Sequence, residues 1–461
     1  MASTVSRPQR LLEIRQRIRG RRVVWFGTRG TDANSLLVFP EFSATFSQIA
    51  PLSAVSVASE WCLETMVGRR VDLDTYDIDE DFSPPARELR RQLVETLRTP
   101  TVVVPYRPSR LLSSACFLAS DTVEYLGQFI DAQVAFEHKP WVESELRRAG
   151  VPVVEWTYYT PEDLMRLNDR LDLARGPLVI RRNRSAGGVG FGLARNRDEL
   201  ILYATGLGSE EFIAAAPYLH PNIPLNVGAC VFADGTTTIH GASVQLIGIP
   251  ECTTRAFGYC GNDFGAIRQL STGEIEELNV IVYRVGAWLA SRGYVGAFGV
   301  DALAHEGSIV LMEVNPRFQG SSALGAALAY DAGLPDLFLE HMAAHLGLPA
   351  GPATPLRESV AEQPLIAQVI CHNLARVPVS PGEPAGPHQA RCTMCPAPGV
   401  EVDPDAVICK LIVDGRATED GFTLCADVRE QARRTLDAIL SSQIPAAQVE
   451  LVAADLDLVP A

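Results

Sequence analysis

Short apolar runs alternate with longer segments of mixed polarity, the pattern of a chain that interleaves strands and helices. Residues 21–28 (RRVVWFGT) are a β-branched and aromatic run ending in Gly27 and then Gly30, which predicts a buried strand. Segments 46–58 and 85–98 are expected to be helical or mixed. Residues 101–105 (TVVVP) predict a second buried strand, stopped by Pro105. This strand–helix–strand order predicts a parallel α/β layer at the N-terminus. Residues 138–149 predict a helix opened near Pro140 and closed by Gly150, with a strand at VPVVEW after the turn.

From residue 177 the pattern turns β-rich. PLVIRRN predicts a strand, followed by a glycine cluster and a helix near 196–204. Further strands are expected at 209–213, 225–233, 237–247, 297–303 and 308–314. A long amphipathic helix fits 273–291. Residues 351–356 (GPATPL) have linker composition. The rest, 357–461, carries Pro/Gly-rich turns at 377–387 and 396–405 and is expected to be a small separate α+β domain. There is no internal repeat and no low-complexity tract.

Composition narrows the function classes. At 461 residues the chain has room for about three domains of roughly 150 residues. A net charge of −15 disfavours general binding to nucleic acid or anionic membrane, which needs a basic surface. No apolar run approaches the ~18 residues of a spanning helix. The first twenty residues lack an apolar core with a cleavage site, so a cytoplasmic location is expected. The ten scattered cysteines then read as reduced thiols. The 40 basic residues include only two lysines, Lys139 and Lys410.

Two segments carry candidate chemistry. In PLVIRRNRSAGGVGFG (177–192) a strand bears Arg181 and Arg182 and runs into Ser185, Gly187, Gly188 and Gly190. Glycines of this kind let backbone N–H groups converge on an anion, although a plain hairpin turn has the same composition. The segment has neither the Gly-Lys-Ser/Thr of a Walker loop nor a dinucleotide fingerprint. In GAFGVDALAHEGSIVLMEVNPRFQGSS (296–322) Asp301 and Glu313 end adjacent strands across a turn. Asn315 and Arg317 follow at two-residue steps on the same face, then Gln319 and Ser321. Asp301, Glu313 and Asn315 form a hard oxygen set suited to Mg²⁺ with phosphate. Arg317 beside it would stabilise charge developing in transfer. An exposed acidic hairpin with a salt bridge is the alternative.

Together these segments resemble the ATP-grasp superfamily over roughly residues 115–350. The motifs stand in the family's order: Lys139 before Gly150-Val151-Pro152, the basic strand end with its glycine loop, an acidic hinge strand, and the metal hairpin. The N-terminal RVVWFGTRGTDAN block and the C-terminal segment resemble one branch, the actinobacterial peptide ligases of the pheganomycin type. The resemblance implies an α/β and α+β multidomain chain. It would comprise a pre-ATP-grasp domain (1–115), an ATP-grasp domain (116–350, lid 138–208, metal-binding part 209–350) and a small C-terminal domain. It implies ATP and Mg²⁺ as cofactors and small-molecule acid and amine substrates. It also implies amide formation through an acyl phosphate in specialised metabolism, and a homodimer. Transfer to a carrier-protein thiol, bicarbonate chemistry and a non-catalytic nucleotide-binding subunit are the alternatives; a biotin carboxylase is disfavoured, since neither of the two lysines stands between methionines as a biotin acceptor would.

Carried over by position, Lys139 and Arg181 would grip phosphates, with Ser185, Gly187, Gly188 and Gly190 folded over them. The family has lysine where this chain has Arg181. Glu210, Phe212 and Ile213 would pair with adenine, and Asn226 stands in for a ribose-binding acid. Asp301, Glu313 and Asn315 would hold Mg²⁺, and Arg317 and Gln319 would act in catalysis. Arg29, Asp32 and Asn34, at the end of the first strand, are candidates for substrate, as are Gln245, Tyr259, Asn262, Asp263 and Ser321. Lys410, in the strand-like ICKLIVDG, is expected to be a solvated edge residue, with contact between its domain and substrate as the alternative. Cys392-x-x-Cys395 has the spacing of half a zinc site, with Cys371-His372 as the other half, but reduced structural thiols are the expectation.

Overall fold

The computed structural model describes residues 5–52, 57–166, 173, 176–183, 187–208, 210, 212–352, 354–382 and 392–440. Among them, no helix is long and apolar enough to cross a membrane.

Five parallel strands form the first layer: β1 (Arg22–Arg29), β2 (Phe42–Ile49), β3 (Ser59–Cys62), β4 (Thr101–Pro105) and β5 (Val123–Tyr125), in the order β3-β2-β1-β4-β5. Alternation sends Val24 and Phe26 to the side covered by helices Pro84–Thr96 and Arg110–Leu118. Val23 and Trp25 face the other side, against Phe318 and Phe338. Burial on both faces is why β1 is an unbroken apolar run. It also explains β2, where a helical or mixed segment was expected over 46–58. Thr45, Ser47 and Gln48 are buried there, so no polar face marks the period of two.

A four-stranded antiparallel sheet comes next: β6 (Thr157–Tyr159), β7 (Leu178–Arg182), β8 (Phe191–Ala194) and β9 (Ile213–Pro217), ordered β6-β9-β7-β8. Helices Pro161–Arg166 and Arg197–Gly206 pack on the face of Leu178, Ile180, Ile213 and Ala215. Val179, Ala214 and Ala216 face away from them, toward Val154 and Trp156. VPVVEW is extended chain with one parallel bridge, Val153 to Leu311, and the strand itself begins at Thr157.

The third sheet has eight strands: β10 (Ile223–Val231), β11 (Thr237–Ile247), β12 (Tyr259–Asp263), β13 (Gly296–His305), β14 (Ser308–Asn315), β15 (Ile366–His372), β16 (Cys392–Thr393) and β17 (Val407–Asp414). Their order is β14-β13-β10-β11-β12-β15-β17-β16. The last three belong to the segment read as a separate C-terminal domain, and they hydrogen-bond onto the edge of the central strands. Helix Thr272–Ser291 starts at a capping box, Ser271 with Glu274. It lays Ile275, Leu278, Val282 and Val285 on Leu225, Val227 and Ala229 of β10. Burial of each such side chain contributes about 1.5–3 kcal/mol. The opposite face of the same strands is left for polar residues.

Candidate functional site

That polar face is the floor of a cavity of about 300 Å³ between the three sheets. Strand register assembles it. Glu313 stands opposite Asp301, and Asp301 opposite Asn226. Asn226 pairs with Ser243, Gln245 with Asn262, and Asn262 with Gln368. One oxygen of Asp301 accepts from Asn226 (2.7 Å), Gln245 (3.1 Å) and Gln319 (3.3 Å), the other from Asn315 (2.8 Å). Burial, and then the neighbouring Glu313, push the Asp301 carboxyl up to about 6. Lys139, at the start of helix Lys139–Arg148, places Nζ 2.5 Å from Glu313. Arg317 donates to Asn315 Oδ1 at 3.0 Å. Burial opposes its charge, but Tyr106, Glu137 and Glu313 outweigh that and hold the guanidinium above its ordinary value. Ser321 donates to Asn226 at 2.7 Å.

The antiparallel sheet supplies the roof. Val179, Ala216, Trp156 and Val154 line the cavity with Met312 of the floor. The chain leaving β9 adds Pro217, Tyr218 and Leu219. The glycine loop reaches in from above. Gly187 and Gly188 have φ of +56° and +79°. A Cβ on Gly187 would lie 1.8 Å from an Asp74 oxygen, and one on Gly188 2.1 Å from the Phe257 carbonyl, so only glycine lets the tip seat there. Gly190, at φ +74°, packs on Arg182 instead. Ser185 lies outside the described residues. Arg181 is buried beneath the roof. It donates to Glu143 and, at 3.2 Å, to Tyr158 Oη, and its guanidinium lies 4.0 Å over the Trp156 ring.

The third wall is the C-terminal edge of the parallel layer, where Thr28 and Arg29 end β1 and Tyr106 and Arg107 follow β4. Open parallel sheets expose ligand sites at this edge. Arg29 donates to Asp32 (2.8 Å) and Tyr106 Oη (2.9 Å). Tyr259 donates to Asn262, and burial raises its phenol well above the usual range. Arg107 lines the cavity half-buried, with no hydrogen bond or ion pair among the described residues.

Several candidates fall elsewhere, and strand parity is the reason. Ile213 points into the helix-covered core of the roof sheet. Phe212 is exposed, and Glu210 lies 3.5 Å from Arg182. The cavity is met by Ala216 to Leu219, at the far end of the same strand. Asp263, one residue from Asn262, faces the other way and accepts backbone N–H groups of Ala266 (2.8 Å), Ala417 (2.5 Å) and Thr418 (3.1 Å). Asn34 is exposed on the turn Gly30–Val38. Lys410 is 6% exposed rather than solvated. It stands opposite Ile370, two residues beyond Gln368, and so shares the floor's face. Burial and then Arg29 push its ammonium down to about 8, against the pull of Asp32. Tyr106, Arg107, Trp156 and Asp74 were not anticipated. The signal for Tyr106 and Arg107 was available, since they follow the TVVVP strand directly.

A profile of the ATP-grasp domain matches residues 142–321. A search of curated protein sequences gives no significant match. Among solved structures, biotin carboxylase of Campylobacter jejuni superposes with a TM-score of 0.58 at 14% identity, covering 91% of both chains. The biotin carboxylase domain of the 2-oxoglutarate carboxylase of Hydrogenobacter thermophilus, solved with MgADP, ADP and bicarbonate, gives 0.57 at 14% identity, covering 91% of this chain and 90% of its own. N5-carboxyaminoimidazole synthetase of Staphylococcus aureus, solved with ADP, gives 0.53 at 12% identity, covering 91% and 97%. The chain therefore has the ATP-grasp fold, of mixed α/β content and several sheets.

Proposed function

We propose that this protein is an ATP-dependent ligase that activates a carboxylate as an acyl phosphate and couples it to an amine. In this reading Ala216 to Leu219 meet the adenine, with Trp156, Val179 and Met312 as its apolar walls. Lys139 and the backbone of Gly187 and Gly188 hold the phosphates. Arg181, gripped by Glu143 and Tyr158, holds up the roof unless the nucleotide draws it in.

The cation fit rests on the donor set. Among the described residues no three His, Cys, Asp or Glu side chains gather as a metal site, and the third candidate ligand is an amide. Asp301 and Glu313 are like charges side by side, which a cation would relieve, and Asn315, whose amide nitrogen donates to Asp301 while its oxygen accepts from Arg317, would have to turn its amide to add an oxygen. These three would hold Mg²⁺, which supplies charge neutralisation on the phosphates.

The acid enters from the third wall. Arg107 and Arg317 line the cavity there, beside Arg29 in its pair with Asp32, which suits a carboxylate. A carboxylate oxygen attacks the γ-phosphorus and ADP leaves. The amine nitrogen then attacks the carbonyl, phosphate leaves, and the nitrogen loses a proton. Arg317 stabilises the negative charge in both steps. The resemblance to the pheganomycin-type peptide ligases supports an amino acid or peptide-like acid as substrate.

The observation that carries this reading is the direct pairing of Asp301 with Glu313 on the cavity floor. The test is a panel of acids with amine and thiol acceptors, read as ADP release and product mass. Amide product that disappears in Glu313→Gln is expected. Thioester as the sole product, or amide formation undiminished in Glu313→Gln, overturns it.

A further inference from the structure

Away from the cavity, seven of the ten cysteines gather around the C-terminal strands of the large sheet. Cys371 and Cys409 face each other across β15 and β17, with Cys252 and Cys260 in the same buried cluster. At its rim Cys392 and Cys395 are half-buried, with their sulfurs 3.1 Å apart. The turn between them is built to hold that approach. Met394 has φ of +61°, uncommon for a residue with a side chain, and that side chain is buried beside Ile49 and Ala50 of the first layer. Its carbonyl accepts from Arg70. Arg70 is fully buried, held by both oxygens of Glu64 at 2.8 Å, and also donates to the Val407 carbonyl at 3.0 Å. A backbone conformation kept by this much surrounding structure calls for a functional reading. Zinc is the other use of this spacing, but no group of three or more ligating side chains assembles here among the described residues.

We propose that Cys392 and Cys395 are a dithiol–disulfide couple that exchanges with small-molecule disulfides such as glutathione disulfide. The hydrogen bond to Cys392 and burial raise the Cys395 thiol, and Cys392, half-buried at the rim of the cluster, is assigned as the attacking thiolate. Its sulfur bonds to one sulfur of the disulfide, whose S–S bond breaks and releases one glutathione thiolate. Cys395, losing its proton, then attacks Cys392 sulfur and expels the second glutathione. The protein loses two hydrogens, and one disulfide becomes two thiols. The four thiols behind are buried from the oxidant itself, with Cys409 in hydrogen-bond reach of Cys392, so a link between Cys392 and Cys409 would also overturn the assignment of Cys395 as the second thiol.

The test uses the full reduced chain treated with glutathione disulfide, then alkylated under denaturing conditions and weighed intact. Expected is the loss of two of the ten reactive thiols, a link between Cys392 and Cys395 in the peptide map, and full reversal by dithiothreitol. Cys395→Ser should stop at a single glutathione carried on Cys392. Cys425→Ser, which removes another half-buried thiol, should leave the loss of two unchanged. No thiol loss in the folded chain, a link through Cys371 and Cys409, or one zinc retained through dialysis with both thiols protected would each overturn the proposal.

Discussion

Asp301 and Asp263 are two buried aspartates on strands of the same sheet, and they are held in opposite ways. Asp301 accepts from the side-chain amides of Asn226, Gln245, Gln319 and Asn315 and has Glu313 for a neighbour. Asp263 accepts from three backbone N–H groups and ties β12 to the chain after β17. Backbone donors are fixed by the fold, so an acid that satisfies them is structural. Side-chain amides can turn aside, so an acid held only by them, beside a second acid, is available for a ligand. Burial raises both carboxyls, and it is the partners that tell the two roles apart.

The largest expected effect is at the floor. Glu313→Gln should lower ligase turnover about a thousandfold, the several kcal/mol of charge stabilisation that a metal supplies, with little change in urea stability. Asp263→Ala should do the reverse. Three orphaned backbone donors at ~1–3 kcal/mol each should lower stability by about 4 kcal/mol in a urea melt, while the Mg²⁺ dependence of whatever protein remains folded is unchanged. If both variants lose stability alike, the distinction between the two aspartates fails.

A smaller effect is in pH. The Asp301 carboxyl sits at about 6 when folded, above an ordinary 3.8. The folded state therefore holds the proton more tightly, and the group costs stability as pH rises through 4 to 6. Relative to Asp301→Asn, the wild type without Mg²⁺ should gain about 1 kcal/mol between pH 7 and pH 5, read from urea midpoints. Mg²⁺ affinity should weaken over the same fall in pH, because the proton competes for the same oxygens. The smallest expectation is Asn34→Ala. An exposed side chain outside the cavity should change neither ADP release nor stability beyond ~0.5 kcal/mol.

What the chain itself made legible followed from periodicity. Glu-x-Asn-x-Arg after an apolar run put Glu313, Asn315 and Arg317 on one face, and strand register then added Asp301. The place of Lys139 before Gly150 marks it as a phosphate-ligand candidate, and in the structure it is ion-paired with Glu313. The roof was harder to read. Ile213 and Ala216 are equally apolar positions of one strand, and only the helices packed on the Ile213 side show which of them meets the cavity. Lys410 was misread for a related reason. Its strand lies near the sheet edge, yet β16 and the first layer cover it, and neither neighbour is close in sequence. Tertiary packing decides such positions, and local pattern does not carry it.

The eight hydrogen-bonded strands that run from Glu313 to Cys392 form one slab, and a slab of that kind cannot fold about its middle. The chain crossing at 152–154 is stitched to it by Val154 N–H to the Leu311 carbonyl (3.1 Å) and Leu311 N–H to the Pro152 carbonyl (2.8 Å). Freedom to swing therefore begins after that stitch, near 155–156, and at the return passage near 218–222. A swing of the small sheet would then be a jaw movement over a stationary base, and it would carry Gly187 away from Asp74, which lies too close for a Cβ.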